Sequence, residues 1–209
     1  MDEYLRLDPT GPAIGRPFSD PAHTATDLAA VRAMAARLRT LLAVPAALPD
    51  APRPLIVEGR EADGRQHRVV LSDVRRLAAD RDLAFVGFFA LKRAGLDHAA
   101  LTRTDDELIA EFPAHPGILS YSSLEYADGN WGNLILVDPP EAREHWRTSP
   151  KHAWAASELA PRHYTVVRLH TGRLPGGLGS GREPVLARTR YYDFQAPVPW
   201  RAEREYPAG

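Results

Sequence analysis

Residues 117–138, GILSYSSLEYADGNWGNLILVD, decide how the fold is read. Leu, Tyr, Trp, Ile and Val crowd both arms, as a half-buried sheet favours. Ala127-Asp128-Gly129-Asn130 breaks the run, and Asp-Gly between apolar arms is a strong local hairpin signal. Two turns are compatible with it. A two-residue type I′ loop would put Asp128 and Gly129 at the tip. A type I turn with Gly129 in the left-handed region would add a bulge and pair Tyr126 with Asn130. The second is preferred. It sets Tyr121, Ser123, Glu125, Trp131, Asn133 and Ile135 on one face, and Ile118, Ser120, Ser122, Leu124, Leu134 and Leu136 on the other. The contrast predicts one face packed on helices and one, the polar and aromatic face, turned to a cavity or a second sheet.

Outward from the hairpin the elements alternate. Upstream, residues 83–92 (LAFVGFFALK) are nearly all apolar and suit a strand buried on both faces. Thr104 and Glu107 form a capping box that opens a helix to about Phe112. Downstream, Asp138-Pro139 starts a helix carrying Glu141 to Arg147. Ser149-Pro150 restarts it as far as Leu159, and Pro161 stops it. Residues 164–170 (YTVVRLH) alternate as a strand. The order strand, helix, strand, strand, helix, strand is the split βαβ, ferredoxin-like arrangement, an α+β fold. Its helices cover one face only. The other face needs a cover, usually the same sheet of a second subunit.

The flanks are less regular. Thr24 with Asp27 reads as another capping box, followed by Leu28, Val31, Met34, Leu38 and Leu41 at helical spacing. Pro45, Pro49, Pro52 and Pro54 then make a linker. Residues 54–59 and 67–71 read as a second hairpin, and Ser72 caps a short helix. Residues 172–181 form a glycine-rich loop, residues 183–194 a last strand, and the proline-interrupted end lies on the surface. The expected division is an N-terminal arm and helix over 1–53, then an α+β barrel domain over 54–209 with an added hairpin and C-terminal strand.

Composition bounds the function. Across 209 residues, 44% hydrophobic and 25% charged with net charge −1 describe an ordinary globular protein. Arginines are interleaved with acids, so neither nucleic acid nor an anionic membrane is an expected partner. No cysteine is present, which removes disulfides, thiolate metal sites and a Cys nucleophile. No spanning segment or signal-peptide layout stands out, and a cytoplasmic protein is the default expectation. The histidines show no H-x-H or H-E-x-x-H, so no metal site is expected. The loop GRLPGGLGSG lacks the context of a phosphate cradle and reads as a lid or a linker.

Residues 133–156, NLILVDPPEAREHWRTSPKHAWAA, place a strand before an acidic helix with E-A-x-x-H-W and then S-P-x-H. This stretch resembles the dimeric α+β barrel superfamily that includes antibiotic-biosynthesis monooxygenases. The resemblance implies a homodimer with a sheet-lined cavity in each protomer. It also implies small-molecule chemistry, without a cofactor or with haem. The expectation is a monooxygenase-like oxidoreductase acting on an aromatic or polyketide-like substrate. The alternatives are a haem protein of the same fold and a non-catalytic ligand-binding dimer. The haem-degrading branch of the superfamily is not matched. The position before its helix is apolar here (Val137), and its helix histidine falls near Ala156.

Candidate residues follow. Alternation sends Tyr164, Val166, Arg168 and His170 to one face of their strand and Thr165, Val167 and Leu169 to the helix-packed side. Arg168 and His170 then enter the cavity. A guanidinium can hold a carboxylate or enolate bidentately, and an imidazole titrates near neutrality. The bland alternative pairs Arg168 with Glu125 and leaves His170 capping the loop. The resemblance puts the helix of His145, Trp146 and His152 at the cavity mouth, where a histidine serves as base or haem ligand. The competing reading makes Trp146 a core anchor. In the combined expectation His152 or His170 is the general base, or the axial ligand if haem is bound. Arg168 and Asn133 stabilise the anion. Tyr121, Trp131, Glu125 and Trp146 hold the substrate.

Overall fold

The computed structural model describes residues 4–44 and 54–207. The expected proline linker at 45–53 lies outside the described residues. The fold is α+β, with nine strands in one sheet of order β1-β9-β8-β7-β4-β6-β5-β3-β2. The strands are β1 (Leu5–Arg6), β2 (Leu55–Arg60), β3 (Gln66–Leu71), β4 (Leu83–Lys92), β5 (Ile118–Glu125), β6 (Trp131–Val137), β7 (Tyr164–Leu174), β8 (Val185–Asp193) and β9 (Trp200–Glu205). Every neighbouring pair is antiparallel except β1 with β9. The helices are α1 (Pro21–Leu42), α2 (Val74–Leu77), α3 (Ala99–Ala110), α4 (Ala142–Arg147), α5 (Pro150–Trp154) and α6 (Ala160–His163).

The hairpin β5–β6 carries the bulged turn. Tyr126 N–H donates to Asn130 O at 2.8 Å, and Gly129 N–H to Tyr126 O at 2.9 Å. Gly129 has φ 77°, a conformation that a side chain would resist. The register Tyr121↔Ile135, Ser123↔Asn133 and Glu125↔Trp131 follows, so the two faces separate as the sequence suggests. Their covers differ from expectation. The apolar face, with Leu124, Leu134 and Leu136, packs on Ala30, Val31, Met34, Ala35 and Leu38 of α1. The face of Tyr121 and Ile135 packs on Ile109 and Phe112 at the end of α3 and on Trp146 of α4.

The polar and aromatic face that was expected to meet a cavity or a second sheet is thus the one packed by α3 and α4, and helix α1 covers the apolar face. The helix starts earlier than its capping-box reading, because Asp20 caps it (Ala22 N–H to Oδ1, 2.8 Å) with Pro21 at the first position. Thr24 and Asp27 therefore lie inside the helix, both buried. The arm is part of the main core, and β1 belongs to the same sheet as β2 to β9.

Three other elements depart from the sequence reading. Strand β9 replaces the expected surface tail. Its alternating inward residues include Arg204, fully buried, which disguised a strand as a charged coil. That guanidinium donates to the carbonyls of Asp8, Gly11 and Ser19 and to the Tyr191 hydroxyl, at 2.6 to 3.1 Å. Helix α5 runs through a π-helical turn, Ala155–Leu159, into α6 instead of stopping at Pro161. The wide turn falls just where the proline ring would crowd the preceding carbonyls. The glycine-rich loop is anchored and does not form a free lid, since its Leu178 is buried in the α1 core.

Candidate functional site

The sheet separates two polar clusters. Beneath α1, Asp27 accepts from Arg168 Nε (2.6 Å), Arg168 NH2 (2.9 Å) and His170 Nε2 (2.8 Å). His170 Nδ1 lies 2.8 Å from Thr189 Oγ1, which is 3.3 Å from the Tyr206 hydroxyl. With Nε2–H donating to the carboxylate and the threonine hydroxyl donating to Nδ1, a neutral imidazole is fully satisfied. Burial opposes the charge on Asp27, yet the bonds and charges of Arg168 and His170 prevail and hold its pKa below the usual carboxylate value. Burial, helped by Arg168, lowers the pKa of His170 against the pull of Asp27. Carboxylate, imidazole and hydroxyl stand in the order of a nucleophilic triad. However, His170 and Thr189 are 0% exposed and Asp27 is 1% exposed, so no substrate reaches them. Phe89 packs over His170 at 5.4 Å and stacks with Tyr126 at 6.4 Å, closing the cluster from the side.

On the opposite face, α3 lowers Asp105 onto the hairpin. The Tyr121 hydroxyl donates to Asp105 Oδ1 at 2.7 Å, and Arg68 NH1 of β3 donates to Oδ2 at 3.3 Å. Burial raises the pKa of the Asp105 carboxyl above the usual value, and the Tyr121 bond and the Arg68 charge only partly oppose it. Burial, with Asp105 next, pushes the Tyr121 phenol well above its ordinary value. Asn133 shares this face, and its Oδ1 is buried without a partner among the described residues. Phe88 and Tyr164 meet edge to face at 5.6 Å and are half-buried, as are Asn133 and Trp131. Burial, with the charge of Asp105, raises the Tyr164 phenol as well. Tyr164 reaches this face because β7 shifts register against β4. Leu91 pairs with Val166 and Lys92 with Tyr164, leaving Thr165 unpaired.

The expected site residues are therefore split. Arg168 and His170 sit together under α1, and Arg168 is paired with Asp27, not Glu125. Asn133, Tyr121 and Trp131 lie across the sheet from them, so the combined constellation does not form. Glu125 Oε2 accepts from Gln66 N–H at 2.9 Å and ties the end of β5 to the start of β3. Trp146 is a core residue against Phe112, and the His152 ring packs on it at 4.5 Å. Burial lowers the pKa of His152. Neither candidate imidazole suits haem. Both nitrogens of His170 are engaged, and His152 is pressed against an indole where an axial ligand needs open space.

Sequence reasoning does not reach Asp105, Arg68 or Phe88. A signal existed for Asp105. It continues the inward series Leu101, Asp105, Leu108, Ile109 and Phe112, so it is a carboxylate at a core position. The reading that began the helix at Thr104 hid it, because α3 starts five residues earlier.

No protein-family model matches the sequence, and none of the curated proteins matches it. Solved structures similar to part of the chain include protein SO0527 from Shewanella oneidensis, at 14% identity and TM-score 0.40 over 46% of this chain and 92% of that one. Another is SnoaB, a cofactor-independent oxygenase from Streptomyces nogalater, at 18% identity and TM-score 0.35 over the same shares. Neither likeness is close enough to carry a function.

Proposed function

We propose that the chain is a monooxygenase-like oxidoreductase whose aromatic substrate lies between the sheet and the α3 and α4–α6 layer. Its β4–β7 unit, in the order β7-β4-β6-β5 with those helices on one face, supports a ferredoxin-like core. One observation carries the reading. The Asn133 amide has an orphaned buried oxygen on the same face as the Tyr121–Asp105 pair. A buried polar atom left unpaired costs stability, and such costs collect where a ligand completes the bonding.

The chemistry follows from the groups present. A carboxyl with a raised pKa takes a proton from an activated aromatic CH2 at near-neutral pH. The Asn133 Nδ2–H donates to the oxyanion that develops, its Oδ1 accepts from a substrate hydroxyl, and Phe88, Tyr164 and Trp131 offer ring surfaces. The electron-rich anion reduces dioxygen directly. The CH2 becomes a carbonyl and one water leaves, so the step balances without a further reductant. Oxygen uptake with an anthrone-type substrate tests this. Asp105→Asn and Asn133→Ala are each expected to lower the rate by about a hundredfold. No uptake and no binding by the parent protein would overturn it.

A second reading, a non-catalytic binding module, draws support from α1. The charged groups of the Asp27 cluster on that face are already paired with one another. A bound aromatic ligand without oxygen uptake would favour it. Neither His152 nor His170 suits haem as an axial ligand, and a Soret band on adding haem would revive that reading.

A further inference from the structure

A narrow concavity of about 60 Å³ lies between α1 and the glycine-rich loop. Arg32, Arg39 and Arg182 line it with Gly177, Gly181 and Glu183. Arg32 and Arg39 are two helical turns apart on one face of α1, about 10 Å along the axis. Arg32 bonds Glu183 at 3.1 Å. Among the described residues neither Arg39 nor Arg182 forms a salt bridge. Asp82 feels the charge of Arg182 but is bonded by Arg173, at 3.3 Å. Three arginines thus line one small space with a single carboxylate, Glu183, among its lining residues. Like charges gathered in this way repel unless an anion offsets them.

The loop is rigid enough to be a site. Ser180 Oγ donates toward Pro175 O (2.6 Å) and Gly177 O (2.9 Å) and accepts from Arg182 N–H (3.2 Å). Gly177 has φ 73°, and a Cβ there would stand 2.6 Å from Arg81 O, so the backbone is fixed by close packing. At about 10–15 Å³ for one water-sized probe, the space takes a group of four or five heavy atoms. A phosphate has five heavy atoms and a carboxylate group three, so either fits, and guanidinium forks match both.

We infer that this concavity binds an oxyanion, the phosphate or carboxylate group of a small molecule, through Arg39 and Arg182. The bound anion ties the C-terminal half of α1 to the loop after β7, and so steadies the helix that covers the sheet. The site is independent of the Asp105–Asn133 face, and neither proposal needs the other.

The test titrates the full chain with inorganic phosphate and, separately, with succinate, at constant ionic strength, reading the Kd by calorimetry and Tm by thermal melting. Saturable 1:1 binding that raises Tm is expected, because a ligand held only by the folded state stabilises it. Arg39→Ala and Arg182→Ala should each weaken it at least about tenfold, and Arg103→Ala, on the exposed side of α3, should not. The tighter of the two probes identifies the group. Without anion the double variant should melt no lower than the parent, since repulsion is relieved. No saturable binding of either probe below about 10 mM would overturn the inference, as would an equal effect of chloride or an unchanged Kd in the double variant.

Discussion

Asp27 and Asp105 lie on opposite faces of the same sheet, and their surroundings push their protons in opposite directions. Asp27 is sealed under α1 with three charge-assisted bonds, and its carboxyl is held low. Asp105 keeps 32% of its side chain accessible, shares a phenol and a distant guanidinium fork, and is raised. A carboxylate whose demands are met by its own chain is a fastener. One that remains under-satisfied beside an orphaned amide is available to something else.

The largest effect belongs to the fastener. Asp27→Ala leaves the Arg168 guanidinium, 11% exposed, without its anion and strips a bond from His170. Removing one partner of a buried ion pair typically costs about 3–5 kcal/mol, because the charge left behind stays desolvated. Urea unfolding should show this loss. A cost under about 1 kcal/mol would mean that α1 is held by its apolar stripe alone and that the cluster is incidental.

Acid comes next. His170 has its folded pKa lowered, so the unfolded chain binds a proton more readily. Its contribution is fully present above the unfolded value of about 6.5 and declines as pH falls below it. Stability should drop by up to about 1.4 kcal/mol per pH unit for each such proton. His67 and His152 are lowered by burial too and add in the same sense. Asp27, also lowered, extends the loss to lower pH, as stability falls through its folded pKa. Asp105 has the opposite sign. Its raised pKa favours folding below the unfolded value of about 3.9, and the benefit is lost as pH rises through the folded one. His170→Gln should flatten the slope below pH 6.5 in pH-dependent melts, and Asp105→Asn should not. An unchanged slope in His170→Gln would place the protons elsewhere.

How much of this the sequence disclosed depends on the range of the signal. The β5–β6 turn, the span of β4 and the two faces of the hairpin follow from Gly129, from an unbroken apolar run and from alternation, all local. What covers each face is not local. Asp27 looks like a capping residue because Thr24 stands three before it, and only the docked helix shows it aimed at Arg168 across 141 positions. Arg204 hid β9 for a related reason. A buried charge breaks the hydrophobic pattern, and its four partners come from distant segments. Tyr164 changed faces through a one-residue irregularity against β4, which a strict period of two cannot foresee.

A smaller effect tests the other aspartate. Tyr121→Phe deletes a hydroxyl that donates to Asp105 at 2.7 Å and leaves the ring in its packing against Phe112. A loss of about 0.5–1.5 kcal/mol is expected. The carboxyl, losing a bond that favours its charge, should rise further, and the change is measurable by NMR titration of the Asp105 carboxyl carbon. A carboxyl whose pKa does not move would show that burial and Arg68 set it without the phenol.

The smallest change in stability carries the most meaning. In Asn133→Ala the amide oxygen that disappears has no partner to lose, so no bond is broken and a desolvation cost of about 1–3 kcal/mol is relieved. Against that stands the packing of a half-buried side chain beside Phe88, its partner on β4. The two nearly cancel, and melts should place the variant within about 1 kcal/mol of the parent. Binding of an aromatic ligand should nonetheless fall, because the group removed is the one the fold leaves unused. If the variant instead loses more than about 2 kcal/mol, Asn133 is bonded within its own chain after all. The Tyr121–Asp105 face would then be a second fastener, and the asymmetry between the two sides of the sheet would vanish with it.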